Sequence, residues 1–130
     1  MIRSCALLLV LLVVGTTASF ANEEICTKDS SKCAKLIEKE ALVEIVVEVQ
    51  LPDQTTKKLD VTKIENGLFG KLGRAGKSSY ENHSLSLLRW SEGAKDIDIL
   101  FVQLQAWKDG QRYTVSGPIA ITDDGKIIWQ

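Results

Sequence analysis

The segment spanning residues 67–77 concentrates more potential chemistry than any other part of the chain. Gly67, Gly70, Gly73 and Gly76 recur every third residue, Lys71, Arg74 and Lys77 recur at the same interval, and no acid stands between Glu65 and Glu81. Glycines that bare backbone N–H groups, set among three cations, suit a phosphate, sulfate or carboxylate. A nucleotide loop does not fit. It requires Gly-x-x-x-x-Gly-Lys-Ser/Thr, and counting back from Gly76-Lys77-Ser78 puts Lys71 where the first glycine belongs. Two readings remain: a solvated connector between strands, or an anion-binding loop in which Lys71, Arg74 and Lys77 hold an anionic glycan.

A second constellation surrounds Trp107-Lys108-Asp109-Gly110-Gln111-Arg112. Asp-Gly is the preferred pair for a two-residue type I′ hairpin turn, in which both central residues take positive φ. That turn fixes a register: Lys108 faces Gln111, Trp107 faces Arg112, Ala106 faces Tyr113, Gln105 faces Thr114, Leu104 faces Val115 and Gln103 faces Ser116. Side chains alternate between faces. Ala106, Tyr113, Leu104 and Val115 therefore point to the core, and Trp107, Gln105, Gln103 and Arg112 form a solvent face. An indole beside amides and a guanidinium can anchor a partner or stack on a sugar, or simply make a cross-strand Trp107–Arg112 contact.

Catalytic chemistry finds little to use. His83 is the only histidine and reads as a surface residue. Ser78, Ser79, Ser84 and Ser86 lie near it, but no Gly-x-Ser-x-Gly elbow selects a nucleophile. A lone histidine makes no metal cluster, and the carboxylate pairs Asp96/Asp98 and Asp123/Asp124 are explained by turns and strand surfaces. No catalytic residue, metal ligand or cofactor is expected.

The elements that must position these residues follow from pattern. Arg3, an apolar run over residues 6–14 and Ser19-Phe20-Ala21 read as a signal peptide with cleavage before Asn22. Nine apolar residues span about 14 Å as a helix, against a bilayer core of about 30 Å, which is too short for an anchor. Residues 22–130 form a single expected domain. Removing Arg3 leaves 15 basic and 17 acidic residues, a balance that argues against nucleic-acid binding. Cys26 and Cys33, an even count in an exported chain, read as a structural disulfide.

Within that domain, Ala34, Ile37 and Ala41 at spacings of three and four predict a short helix over residues 31–40. Alternation from Leu42 to Leu51 predicts a strand, and residues 57–64 its antiparallel return. Residues 84–90 and 97–108 follow as strands; Leu100 and Val102 opposite Ile97, Ile99 and Phe101 predict a central strand covered on both faces. Pro118 cannot donate to a ladder, so a break is expected at Ser116-Gly117-Pro118. At Thr122-Asp123-Asp124-Gly125-Lys126 a three-residue loop with Gly125 in the left-handed region pairs Ile121 with Ile127 and Ile119 with Trp129. Trp90 and Trp129 are expected in the core. The sum is about six antiparallel strands and one N-terminal helix, a small β-sandwich or partly open barrel.

The run from Lys71 through Ser78, followed by Ser84-Leu85-Ser86-Leu87, looks like the Gly/Ser-rich strand connection of the small periplasmic chaperones of curli subunits, which implies an immunoglobulin-like sandwich. The likeness covers some sixteen residues. Cys26 and Cys33 do not form the Cys-x-Cys of some of those proteins, and no functional residue carries over. The leading expectation is an exported, non-enzymatic interaction module, periplasmic or secreted: an assembly factor, holding chaperone or inhibitor acting on a protein partner. A polyanion- or polysaccharide-binding protein using the basic loop is second, and a small hydrolase third.

Overall fold

The computed structural model describes residues 22–39, 44–73 and 76–129; the expected signal peptide and Arg74 lie outside them. Eight strands form two antiparallel sheets with one helix between them in sequence. The first sheet contains β1 (Asn22–Cys26), β2 (Cys33–Lys39), β3 (Glu44–Gln50) and β4 (Thr56–Leu59); the second contains β5 (Asn82–Glu92), β6 (Ile97–Lys108), β7 (Gln111–Thr122) and β8 (Ile127–Trp129). Each is a meander in which neighbours in sequence are neighbours in space. The helix α1 (Val61–Lys71) joins them. The architecture is therefore mainly β, with eight strands among the described residues where six were expected, and these two sheets do not close into a barrel. Consecutive strands within each sheet also differ from the interleaved order of immunoglobulin domains.

The two strands not foreseen make the N-terminal hairpin, and one replaces the predicted helix. Along β2, Ala34 and Leu36 are buried while Lys35 is exposed, a period of two. Pairing of Cys33 with both Cys26 and Gln50 fixes β2 between two partners. Cys26 and Cys33 stand directly opposite, their sulfurs at disulfide-bonding distance. The true helix begins where the return strand was expected to continue. β4 pairs with β3 only as far as Leu59; Asp60 then caps α1, its carboxylate accepting from the Lys63 N–H at 3.1 Å. Ile64, Leu68 and Phe69 bury the inner side of that helix.

The second sheet matches its turn chemistry. Asp109 and Gly110 have φ of 51° and 78°, as a type I′ turn requires, and the pairs from Lys108↔Gln111 to Gln103↔Ser116 are those the turn predicts. Gly125 has φ of 89°, and Ile119↔Trp129 and Ile121↔Ile127 pair across the last turn. Leu100, Val102, Leu104, Ala106, Ile119 and Ile121 are buried on the inner face. Tyr113, Val115, Trp90 and Trp129 pack at the edge of this core, half-buried.

Two details depart from expectation. β7 runs unbroken through Pro118, which pairs with Phe101; the ladder to β8 stops at Ile119, so Pro118 has a described strand on one side only and the missing donor is tolerated there. The irregularity falls in β5 instead, between Leu87 and Arg89. β6 is central, but its outer residues Ile97, Ile99 and Phe101 are half-exposed, not covered by a second layer.

β1 and β5 meet edge to edge through side chains. The Glu23 carboxylate accepts from the Leu87 N–H, and the Trp90 indole N–H donates to the Ile25 carbonyl at 3.0 Å. Where the two sheets meet, Lys32, fully buried, donates to Asp98 Oδ2 at 2.7 Å and to Asp123. It ties the β1–β2 loop to the start of β6 and to the β7–β8 turn. Burial pulls its ammonium toward the neutral form, and the hydrogen bonds to Asp123 and Asp98 outweigh that pull, holding the amine above its ordinary range.

Candidate functional site

The expected Trp107 face exists as a three-strand array. The rows across β5, β6 and β7 read Asn82–Trp107–Arg112, Ser84–Gln105–Thr114 and Ser86–Gln103–Ser116. All nine side chains share the parity opposite to Leu104 and Ala106, which are fully buried. Arg112, Thr114, Ser116 and Asn82 are exposed, whereas Gln103, Gln105 and Trp107 on the central strand are half-exposed. The helix lies on the other side of the sheet, against Val102, Gly117 and Ile119. Toward the far end the same outer face turns apolar: Phe101 and Pro118 pair, Ile99 pairs with Ala120, and Ala120 with Ile128, which is 37% exposed. Arg89 lies 4.0 Å over the Phe101 ring and separates the two regions. Tyr113, predicted to oppose this face, packs edge-on to Tyr80 across 6.0 Å on the inner side.

The glycine- and lysine-rich run is not one loop. Gly67, Gly70 and Lys71 belong to α1, and Gly73 and Gly76, with φ of 71° and 113°, lead out of it into the 3-10 turn Lys77–Ser79. Lys71 therefore projects from the helix beside Gly117, whereas Lys77 lies 3.5 Å from the Glu65 carboxylate. The structure places these two candidate cations on different elements.

His83 has an environment that its sequence neighbours do not announce. Its Nε2 lies 2.9 Å from Oε2 of Glu65, a carboxylate on α1 whose side chain is only 9% exposed, and its ring meets Phe69 edge-on at 5.3 Å. It is thus half-buried and paired, not a free surface histidine. Phe69 also stacks obliquely on Tyr80, whose buried hydroxyl has no hydrogen-bond partner among the described residues. Lys77, Ser78, Tyr80 and His83 border a shallow, open depression. A carboxylate that orients a histidine is half of an acid–base apparatus; of the serines beside it, Ser79 donates its hydroxyl to the Gly76 carbonyl at 2.7 Å. The only signal in the sequence was Glu65 four residues before Phe69, and it becomes visible only once residues 61–71 are known to be helical.

Among the described residues no group of three or more His, Cys, Asp or Glu could hold a metal ion, and no helix is long and apolar enough to cross a membrane. The fold class this defines is mainly β: two four-stranded antiparallel meanders with a connecting helix against the inner face of the second sheet. Comparison with family models, with curated proteins and with solved structures found no match.

Proposed function

We propose that this chain is an exported, non-enzymatic interaction module that grips a protein partner of the cell envelope or extracellular space with the outer face of its second sheet. Trp107 is the anchor, Gln103 and Gln105 supply amide hydrogen bonds, and Arg112 supplies a charged one. The observation that carries this reading is the array of Asn82–Trp107–Arg112, Ser84–Gln105–Thr114 and Ser86–Gln103–Ser116 on one sheet face. Nine polar or amphipathic side chains in three parallel rows offer donors and acceptors at regular spacing.

Two features favour a protein over a glycan. The adjoining Ile99, Phe101, Pro118 and Ile128 add an apolar region, and protein interfaces combine such a region with a polar rim. Indole and guanidinium groups are also the side chains that dominate binding energy at protein contacts. The anion-loop alternative draws less support, because Lys77 already faces Glu65 and Lys71 stands on a different element.

The test uses immobilised chain and an extract of the secreted or periplasmic fraction, with Trp107→Ser and Arg112→Ser as paired controls. Both positions are solvent-facing, so the variants should unfold at nearly the parent's temperature. A protein retained by the parent and lost from both variants supports the reading, particularly if the complex survives moderate salt. A partner retained equally by parent and variants overturns it.

A further inference from the structure

The second sheet pairs along the whole of β7 on one side only. Its ladder with β6 runs without a break from Lys108↔Gln111 to Ile97↔Thr122, whereas β8 covers Ile119, Ala120 and Ile121 alone. In a two-residue hairpin the residues flanking the turn exchange both backbone bonds, and the pattern alternates from there. Gln111, Tyr113, Val115 and Gly117 therefore bond to β6, and Arg112, Thr114 and Ser116 turn their N–H and C=O groups the other way. The far end of the strand agrees, since the N–H of Thr122, which has the same parity, donates to the Lys126 carbonyl at 3.0 Å across the last turn. From Arg112 to Ser116 these outward groups have no hydrogen-bond partner among the described residues, and they form an open edge about 14 Å long. Pro118, next of that parity, has no N–H and ends the run.

An open edge invites pairing, and the other edges of the two sheets carry devices against it. β4 is four residues long and bears Lys57 and Lys58. β1 and β5 meet each other, with the Glu23 carboxylate taking the Leu87 N–H and the Trp90 indole taking the Ile25 carbonyl. The β7 edge carries a single charge, Arg112. On its inner side Tyr113 and Val115 are left half-buried, and on its outer side Arg112, Thr114 and Ser116 are exposed. Arg112 has no carboxylate partner among the described residues, and β7 contains no acidic residue at all.

We propose that the protein partner is held by strand addition: an extended segment of it lies beside β7 and completes the backbone bonds of Arg112, Thr114 and Ser116. Side chains of the added strand alternate between faces. Those on the inner side are apolar and cover Tyr113 and Val115; those on the outer side are polar and bring a carboxylate to Arg112. Charge argues against a second copy of this chain as the occupant, because pairing β7 with β7 sets Arg112 against Thr114 or Ser116 and supplies no acid. The proposal rests on the reading that the outer face of this sheet receives a protein, and it adds the conformation and the residue pattern of the segment received.

Three end-capped heptapeptides titrated into the isotopically labelled chain provide the test. One alternates valine with glutamate, one alternates valine with lysine, and the third is the glutamate peptide N-methylated at each glutamate, which removes the donors that would face β7. The glutamate peptide should bind saturably and slow amide hydrogen exchange at Arg112, Thr114 and Ser116; the other two should bind at least about tenfold more weakly. Arg112→Glu should reverse the preference toward the lysine peptide. Thr114→Pro removes an outward donor without touching a bond to β6 and should lose the glutamate peptide; should that variant not fold, the charge reversal at Arg112 decides alone. No saturable binding by any peptide, or a preference that Arg112→Glu leaves unchanged, would overturn the proposal. Equal binding of the N-methylated peptide, or shifts confined to Gln103, Gln105 and Trp107, would overturn strand addition and leave the outer face standing as a binding surface. Protection of the same three amides that grows with protein concentration in the absence of peptide would assign the edge to a second copy and overturn it as well. Retention of a partner by the parent and not by Trp107→Ser bears on the face and not on the edge, so the two readings fail separately.

Discussion

Removing the buried lysine should cost less stability than removing the carboxylates that hold it. Lys32 has no exposed side-chain surface, while the side chains of Asp98 and Asp123 keep 20% and 48% of theirs. Lys32→Met retains most of the aliphatic stem and discards the ammonium, and the two carboxylates left behind are near enough to water to hydrate. The net loss is that of charge-assisted hydrogen bonds less the recovered desolvation of the ammonium, about 1–2 kcal/mol. Asp98→Asn combined with Asp123→Asn does the reverse: it leaves a buried ammonium facing amide oxygens with no counter-charge, where losses run at about 3–5 kcal/mol. In a domain of this size 1 kcal/mol corresponds to roughly 4–8 °C in melting temperature, so the variants should be well separated. Equilibrium urea unfolding of both, with the slope m confirmed unchanged, measures the difference. If Lys32→Met proves as costly as the double asparagine variant, the lysine is held by its packing and not by its charge, and the electrostatic account of this junction between the sheets is wrong.

The same lysine predicts alkaline sensitivity. Its folded pKa is raised, so its contribution is complete below about pH 10.5 and disappears as pH rises through the folded value; stability measured from pH 8 upward should fall there in the parent and fall less in Lys32→Met. Reducing Cys26–Cys33 frees a loop of about eight residues, and chain entropy puts the loss at about 2.5 kcal/mol, read as a lower urea midpoint with reductant. Gly110→Val forces a β-branched residue to the φ of 78° now held by glycine and should cost about 1–3 kcal/mol by thermal melting, even though its Cβ would meet no neighbour. Trp107→Ala on the outer face should cost about 1 kcal/mol or less, and Tyr113→Ala about 2 kcal/mol, below the 3–5 kcal/mol typical of a fully buried ring, because Tyr113 is only half-buried; equal losses at the two positions would mean that the faces are not distinct.

What could be read from the chain divides along the distance over which its structure is determined. The second sheet was legible because Asp109-Gly110 and Asp123-Asp124-Gly125 each fix a register within a few residues, and the register then sorts every side chain of β6, β7 and β8 to one face or the other. The Trp107 face came with it. β2 was misread because Ala34, Ile37 and Ala41 satisfy a helical spacing as well as any short run does, and the residue that matters, Leu36, is buried only against strands on either side. Those strands are supplied by other parts of the chain. Lys32 gave no sign at all: its partners lie 66 and 91 residues away, and in sequence it is one lysine in a polar turn.

The glycine run is the most instructive case, since its regular spacing invited a single explanation and the structure divides it in two. Gly73 and Gly76 take positive φ and carry the chain out of the helix, the role that glycine is usually assigned. Gly67 and Gly70 are helical residues with open space at the position of a Cβ, so neither backbone freedom nor close packing accounts for them. Low helix propensity concealed α1 from a reading by pattern, although Asp60 as a cap and Val61, Ile64 and Leu68 at helical spacing were present. Each of these two glycines costs the helix propensity that packing of Ile64, Leu68 and Phe69 against the core has to make good.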